Sequence, residues 1–65
     1  MSNKVKALRQ ALNLTQLDLS ECVGVTRITI LNIENGSVPS VKLAIKIARF
    51  FNKNVEDVFL VEDDL

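Results

Sequence analysis

The chain has 65 residues, 48% hydrophobic and 25% charged, with eight basic and eight acidic side chains, two glycines, one proline, one cysteine and no histidine. That length and balance describe a single small globular domain, and they exclude a multidomain enzyme, a disordered tail and a collagen-like repeat. With Cys22 alone and no histidine, neither an intrachain disulfide nor a Cys/His zinc site can form, so no metal or other cofactor is implied.

The longest run without a formal charge, Gln10 to Leu17, falls far short of the ~20 residues needed to span a bilayer. The first ten residues mix Lys4, Lys6 and Arg9 with isolated apolar side chains, unlike a secretory signal. The expectation is a cytoplasmic protein with no membrane contact. Nine leucines, eight valines and five isoleucines supply a core, yet a single core at this size rarely contributes more than about 3–5 kcal/mol. Part of the stability is therefore expected from a partner. Charge is unevenly placed: Met1 to Lys53 carries +5 and Asn54 to Leu65 carries −5. This fits either a solvated surface with an acidic end, or a basic body that meets a polyanion while the acids point away.

Val5, Leu8 and Leu12, with Ala7 and Ala11 beside them, follow helical spacing from about Asn3 to Leu12, where Asn13 breaks the pattern. Thr15 is a good N-cap, with Asp18 at the third position after it. Gln16 then opens a second helix through Leu17, Leu19, Cys22 and Val23, ending at Gly24, which takes positive φ without steric cost. Thr26 caps a third helix whose buried stripe is Ile30 and Ile33, and Asn35-Gly36 ends it. Gly36 to Pro39 reads as a turn. Ser40 caps a fourth helix through Phe51, with Ala44, Ile47, Ala48 and Phe51 inward and Lys42, Lys46 and Arg49 outward; Asn52 is its left-handed terminator. A short fifth helix, Val55 to Phe59, follows Asn54 as its cap. Only Leu60-Val61-Glu62 shows any strand-like alternation. The expected fold is all-α: five helices with a short C-terminal extended segment as the single exception.

From Gln16 to Asn35, two capped helices are joined by a turn centred on glycine. So tight a link makes the helices cross steeply and leaves one face of the second exposed, of a size that a major groove ~12 Å wide accepts. The ordered series Leu14-Thr15-Gln16, Leu19-Ser20, Val23-Gly24-Val25-Thr26-Arg27, Ile30, Ile33-Glu34-Asn35-Gly36, Pro39-Ser40, Leu43-Ala44, Lys46-Ile47-Ala48 and Val55-Glu56-Asp57-Val58-Phe59 resembles the helix-turn-helix regulators of the phage repressor and Cro type, the XRE family. The resemblance runs from about Lys4 to Phe59. It implies one compact, lambda-repressor-like DNA-binding domain over residues 1–65, with the helix-turn-helix unit at 16–35, a core at about 4–59 and an acidic tail at 60–65.

The same resemblance implies a dimeric transcriptional repressor that sets its second helix across the DNA backbone and inserts Thr26 to Asn35 into the major groove. Gln16 resembles the family's phosphate-binding glutamine, the alternative being a plain helix-start residue. Thr15 and Thr26 are caps first and phosphate ligands second. The groove-facing positions are Arg27, Ile28, Asn32 and Leu31. Arg27 suits guanine O6 and N7 or a phosphate; Asn32 suits adenine N6 and N7 or is simply solvated. Ile28 departs from the polar residue common in the family. It and Leu31 fit either thymine methyl groups or a hydrophobic partner surface. Asn35, Gly36 and Ser37 are expected to offer backbone amides to a second phosphate. Arg9 and Glu34 match an ion pair between the first and third helices, Arg9 having a phosphate as its other option. Lys42 is a further phosphate ligand.

A single module of this size touches few base pairs, so two copies are expected on half-sites ~34 Å apart. The expected homodimer interface is Val55, Val58, Phe59, Leu60 and Val61, although Val58 and Phe59 fit the monomer core equally well. An enzyme is a weak competitor: histidine is absent and Cys22 lies on an apolar helical face without a base. A protein-binding module that reuses the helix-turn-helix is the stronger alternative. No small-molecule ligand is implied.

Overall fold

Side-chain oxygens set where the helices begin. In a computed structural model that describes residues 3–59, the Thr15 hydroxyl accepts from the Asp18 amide at 3.0 Å while Asp18 Oδ2 accepts from the Thr15 amide at 2.9 Å. Two donors that the helix cannot satisfy itself are thereby satisfied reciprocally. Thr26 accepts from the Thr29 amide at 3.3 Å, and Ser40 from the Leu43 amide at 3.2 Å. The helices are α1 Val5–Ala11, α2 Gln16–Val23, α3 Arg27–Glu34, α4 Val41–Phe50 and α5 Val55–Val58. The second helix keeps the bounds read from sequence, while α1, α4 and α5 are a little shorter than theirs, because cap residues belong only half to the helix.

The ends follow the same local chemistry. Gly24 has φ 76° and its amide, like that of Val25, returns to the Ser20 carbonyl. Asn13 and Asn52 both sit at φ 57°, a conformation that asparagine tolerates better than most side chains. No strand forms among the described residues; the only pairing is an isolated antiparallel bridge between Asn3 and Phe59. The Leu60-Val61-Glu62 segment lies outside them.

The core is built from Val5, Leu19, Val23, Ile30, Ile33, Ala44, Ile47, Ala48, Val58 and Phe59. The second helix packs on α3 and α4, α1 on α3, and α4 on α5. As expected, α4 turns Ala44, Ile47 and Ala48 inward and Lys42, Lys46 and Arg49 outward. Two sequence expectations, on α1 and on α2, are corrected. Leu12 is 54% exposed, and Ala7 and Ala11 are exposed too, because the inward line of α1 passes through Val5 and Arg9. Cys22 is exposed and Leu17 half-exposed, since α2 buries Leu19, Ser20 and Val23, one helical face apart from both. Ser20 can occupy that face because its hydroxyl donates to the Leu17 carbonyl at 2.6 Å.

Both ends of the described chain close on one another. The Lys4 amide donates to the Val58 carbonyl at 2.8 Å, and the Asn3 side-chain amide to the Ile33 carbonyl at 2.8 Å. Val58 and Phe59, 0% and 3% exposed, complete the monomer's own core. This corrects their assignment to a dimer interface.

Two outcomes follow from the caps. A Cβ on Gly24 would meet nothing within 4 Å, so Gly24→Ala suffers only from its backbone conformation and loses about 1–2 kcal/mol in urea denaturation; Gly24→Asn loses less. The Asp18 carboxyl is held below its usual 3.8, first by the Thr15 amide and then by its hydroxyl. A depressed carboxyl contributes stability above its unfolded pKa and loses it as pH falls through the folded one. Below about pH 4, wild type is therefore expected to lose stability that an Asp18→Asn variant does not.

Candidate nucleic-acid interface

Burial divides α3 into two faces. Ile30 and Ile33 are 0% and 2% exposed, three residues apart on the core side. On the opposite side Ile28 and Asn32 are exposed, Ile28 to 60%, with Leu31 half-buried at the margin; Arg27, the first residue of the helix, is exposed on a neighbouring stripe. Helical spacing alone demands this split, since positions 28 and 32 stand one turn apart and half a turn from 30. A polar and methyl-bearing strip is thus presented outward on a helix anchored from behind.

The far end of α3 is fixed by charge. Arg9 Nε donates to Glu34 Oε2 at 2.7 Å and Nη2 to Oε1 at 3.2 Å, while Nη1 donates to the Leu14 carbonyl at 2.7 Å. The two side chains are 10% and 3% exposed. This fork ties α1, the α1–α2 loop and the last turn of α3 together. Hydrogen bonding to Glu34 raises the guanidinium pKa further above its ordinary value. Arg9 is therefore enclosed, and its assignment as a phosphate ligand is corrected: the groups a phosphate would use are turned inward.

Gln16 occupies a place that sequence spacing does not reveal. Its Nε2 donates to Glu34 Oε1 at 3.2 Å, and its Oε1 accepts from Arg27 Nη1 at 3.3 Å. A chain of contacts thus leads from enclosed Arg9 through Glu34 and Gln16 to exposed Arg27. The only sequence signal was that Arg27 and Glu34 lie seven residues apart, two turns along one stripe of α3.

The turn after α3 departs from expectation. The amides of Asn35, Gly36 and Ser37 donate to the carbonyls of Leu31, Ile33 and Asn32 at 3.0, 3.0 and 2.9 Å. They cap the helix and do not point outward to a second phosphate. Gly36, at φ 108°, permits that return. The side chains of Asn35 and Ser37 remain exposed, as do Thr15, Thr26 and Lys42 around the rim.

Comparison with known proteins bears on this geometry directly. The helix-turn-helix family model matches residues 5–58. The chain belongs to the XRE-type helix-turn-helix family. It is 54% identical to an HTH-type transcriptional regulator of Methanocaldococcus jannaschii, with 98% of each chain covered. It is 49% identical to the HTH-type transcriptional regulator YgzD of Bacillus subtilis, again over 98% of each. A regulator of Archaeoglobus fulgidus is 45% identical over 98% of this chain and 92% of its own. As a helix-turn-helix protein the chain is a DNA-binding regulator. Among the described residues no helix is long and apolar enough to cross a membrane, and no group of three acidic or cysteine side chains is placed to hold a metal ion.

Removing one member of the enclosed pair leaves the other unpaired, so Glu34→Gln is expected to lose about 3–5 kcal/mol. The double variant Arg9→Met, Glu34→Leu recovers most of that loss. Urea denaturation of the three proteins measures both.

Proposed function

We propose that the chain is a sequence-specific transcriptional repressor that binds a palindromic operator as a homodimer, with α3 in the major groove of each half-site. The observation that carries this reading is the outward strip of Ile28 and Asn32, opposite buried Ile30 and Ile33, with exposed Arg27 beside it at the start of the helix. Asn32 pairs with adenine N6 and N7, Arg27 forks onto guanine O6 and N7, and Ile28, with Leu31 at its margin, packs on thymine methyls. Gln16 meets a phosphate at the start of α2. Thr15, Thr26, the side chains of Asn35 and Ser37, and Lys42 hold the backbone around it. A protein seated in the groove excludes others from the same base pairs, which makes repression its simplest output.

The contact chain supports a division of labour at Arg27. One guanidinium nitrogen already rests on Gln16, so the fork is partly oriented before DNA arrives, and less side-chain freedom is lost on binding.

Affinity for a mixed-sequence duplex is expected to fall steeply with salt, in proportion to the phosphates neutralised. Lys42→Ala reduces the salt slope by about 1. Gln16→Ala, which removes no charge, weakens all duplexes similarly and leaves the slope unchanged. Asn32→Ala relaxes preference at one position per half-site, losing about 1–3 kcal/mol of discrimination. Selection of duplexes from a random pool with wild type and each variant reads all three; salt-insensitive binding would reject the proposal.

A further inference from the structure

The half-buried side chain of Gln16 lies between two groups of opposite chemistry. A carboxylate only accepts hydrogen bonds and a guanidinium only donates them, whereas an amide accepts at one end and donates at the other. Gln16 Nε2 donates to Glu34 Oε1 at 3.2 Å, and Gln16 Oε1 accepts from Arg27 Nη1 at 3.3 Å. Turned end for end, the amide would set its oxygen against the Glu34 carboxylate and its nitrogen against the Arg27 guanidinium, and both bonds would become repulsions. Only one orientation suits the two neighbours.

Glu34 is the fixed member of the set. Arg9 grips both of its oxygens, Oε2 at 2.7 Å and Oε1 at 3.2 Å, and its side chain is 3% exposed. Arg27, by contrast, is exposed on a long flexible stem. The enclosed carboxylate therefore decides which end of the amide is which, and the guanidinium follows. One Nε2 hydrogen is held by Glu34, and the other has no partner among the described residues. A backbone phosphate has no proton to donate, so it can use a free N–H and has no use for the lone pairs of Oε1.

We infer that Glu34 takes part in DNA binding as the positioning residue for Gln16: it presents the amide to a backbone phosphate with the nitrogen outward and one N–H free to donate. The inference rests on Gln16 being a phosphate ligand, as proposed above, and adds what prepares it for that task. A solvated glutamine would offer either end and lose that freedom on binding, a loss that a preset amide avoids. Arg9 makes the arrangement tolerable. A bare carboxylate so near a phosphate would repel it, and the guanidinium offsets that charge.

The test compares Gln16→Ala in the wild-type chain and in the Arg9→Met, Glu34→Leu background, on the duplex selected from the random pool; thermal unfolding checks that each protein is folded in the assay. In the wild-type chain the substitution is expected to weaken binding about tenfold or more, as for a hydrogen bond to a charged group. In the background, where no carboxylate orients the amide, it is expected to cost several-fold less, while Asn32→Ala keeps its full effect on discrimination in both. A second measurement needs no DNA. Gln10, exposed on α1 and the one other glutamine of the chain, is an internal reference for nitrogen-15 NMR. In the free wild-type protein the Gln16 amide protons are expected to be shifted from those of Gln10 and protected from exchange, and in the background to resemble them. The wild-type spectrum decides even where the double variant does not fold.

Equal effects of Gln16→Ala in both chains, or wild-type Gln16 protons that match those of Gln10, overturn the inference and leave Gln16 a ligand. Loss of the Asn32 contribution together with that of Gln16 gives Glu34 a structural part alone and overturns it too. Gln16→Ala without effect on wild-type binding defeats the phosphate reading itself, and the inference with it, whatever the spectrum shows.

Discussion

Arg9 and Glu34 are charged groups taken almost out of water, and the position of α3 depends on each having the other. A lone guanidinium there would lack a counter-charge, and a lone carboxylate would be worse placed still, at 3% exposure. Their attraction need not add net stability, because desolvation opposes it. What it does supply is a unique arrangement: three Arg9 nitrogens find three oxygens only when α1, the α1–α2 loop and the last turn of α3 are in register. Asn3 clamps the same turn from the other side through the Ile33 carbonyl.

That fixed turn bears on the outward face. The exposed strip of Ile28 and Asn32 is short, and the rotation of the helix that carries it sets where it faces. Ile30 and Ile33 prevent α3 from rolling, Thr26 holds its start, and Arg9 with Asn3 holds its end. Gln16 then carries the constraint from the enclosed pair to Arg27 at the surface. Among the described residues no buried side-chain polar atom lacks a partner, so the network closes without a half-satisfied member, the condition under which buried polar groups specify a structure.

The fourth helix divides its circumference differently. One face closes the core through Ala44, Ile47 and Ala48, one is basic, and a third, through Val41 and Ile45, is apolar and open. A 65-residue chain has little surface to bury in its own interior.

Much of this was legible in the residues. Caps at Thr15, Thr26 and Ser40, stops at Gly24, Asn35 and Asn52, and the Ile30–Ile33 stripe depend on neighbours within four positions, so local sequence determines them, and with them the five helices. The helix-turn-helix resemblance followed from that ordered series. Contacts between distant positions were not legible. Whether Leu12 or Arg9 faces inward depends on a carboxylate 25 residues away from Arg9; whether the amides of 35–37 meet a phosphate depends on how the chain folds back on its own carbonyls; whether Val58 and Phe59 meet a partner depends on how fully the N-terminal residues cover them. Periodicity names the faces of a helix, but only packing against the other helices decides which face is enclosed, because the free energy of burial belongs to pairs of surfaces and not to either one alone.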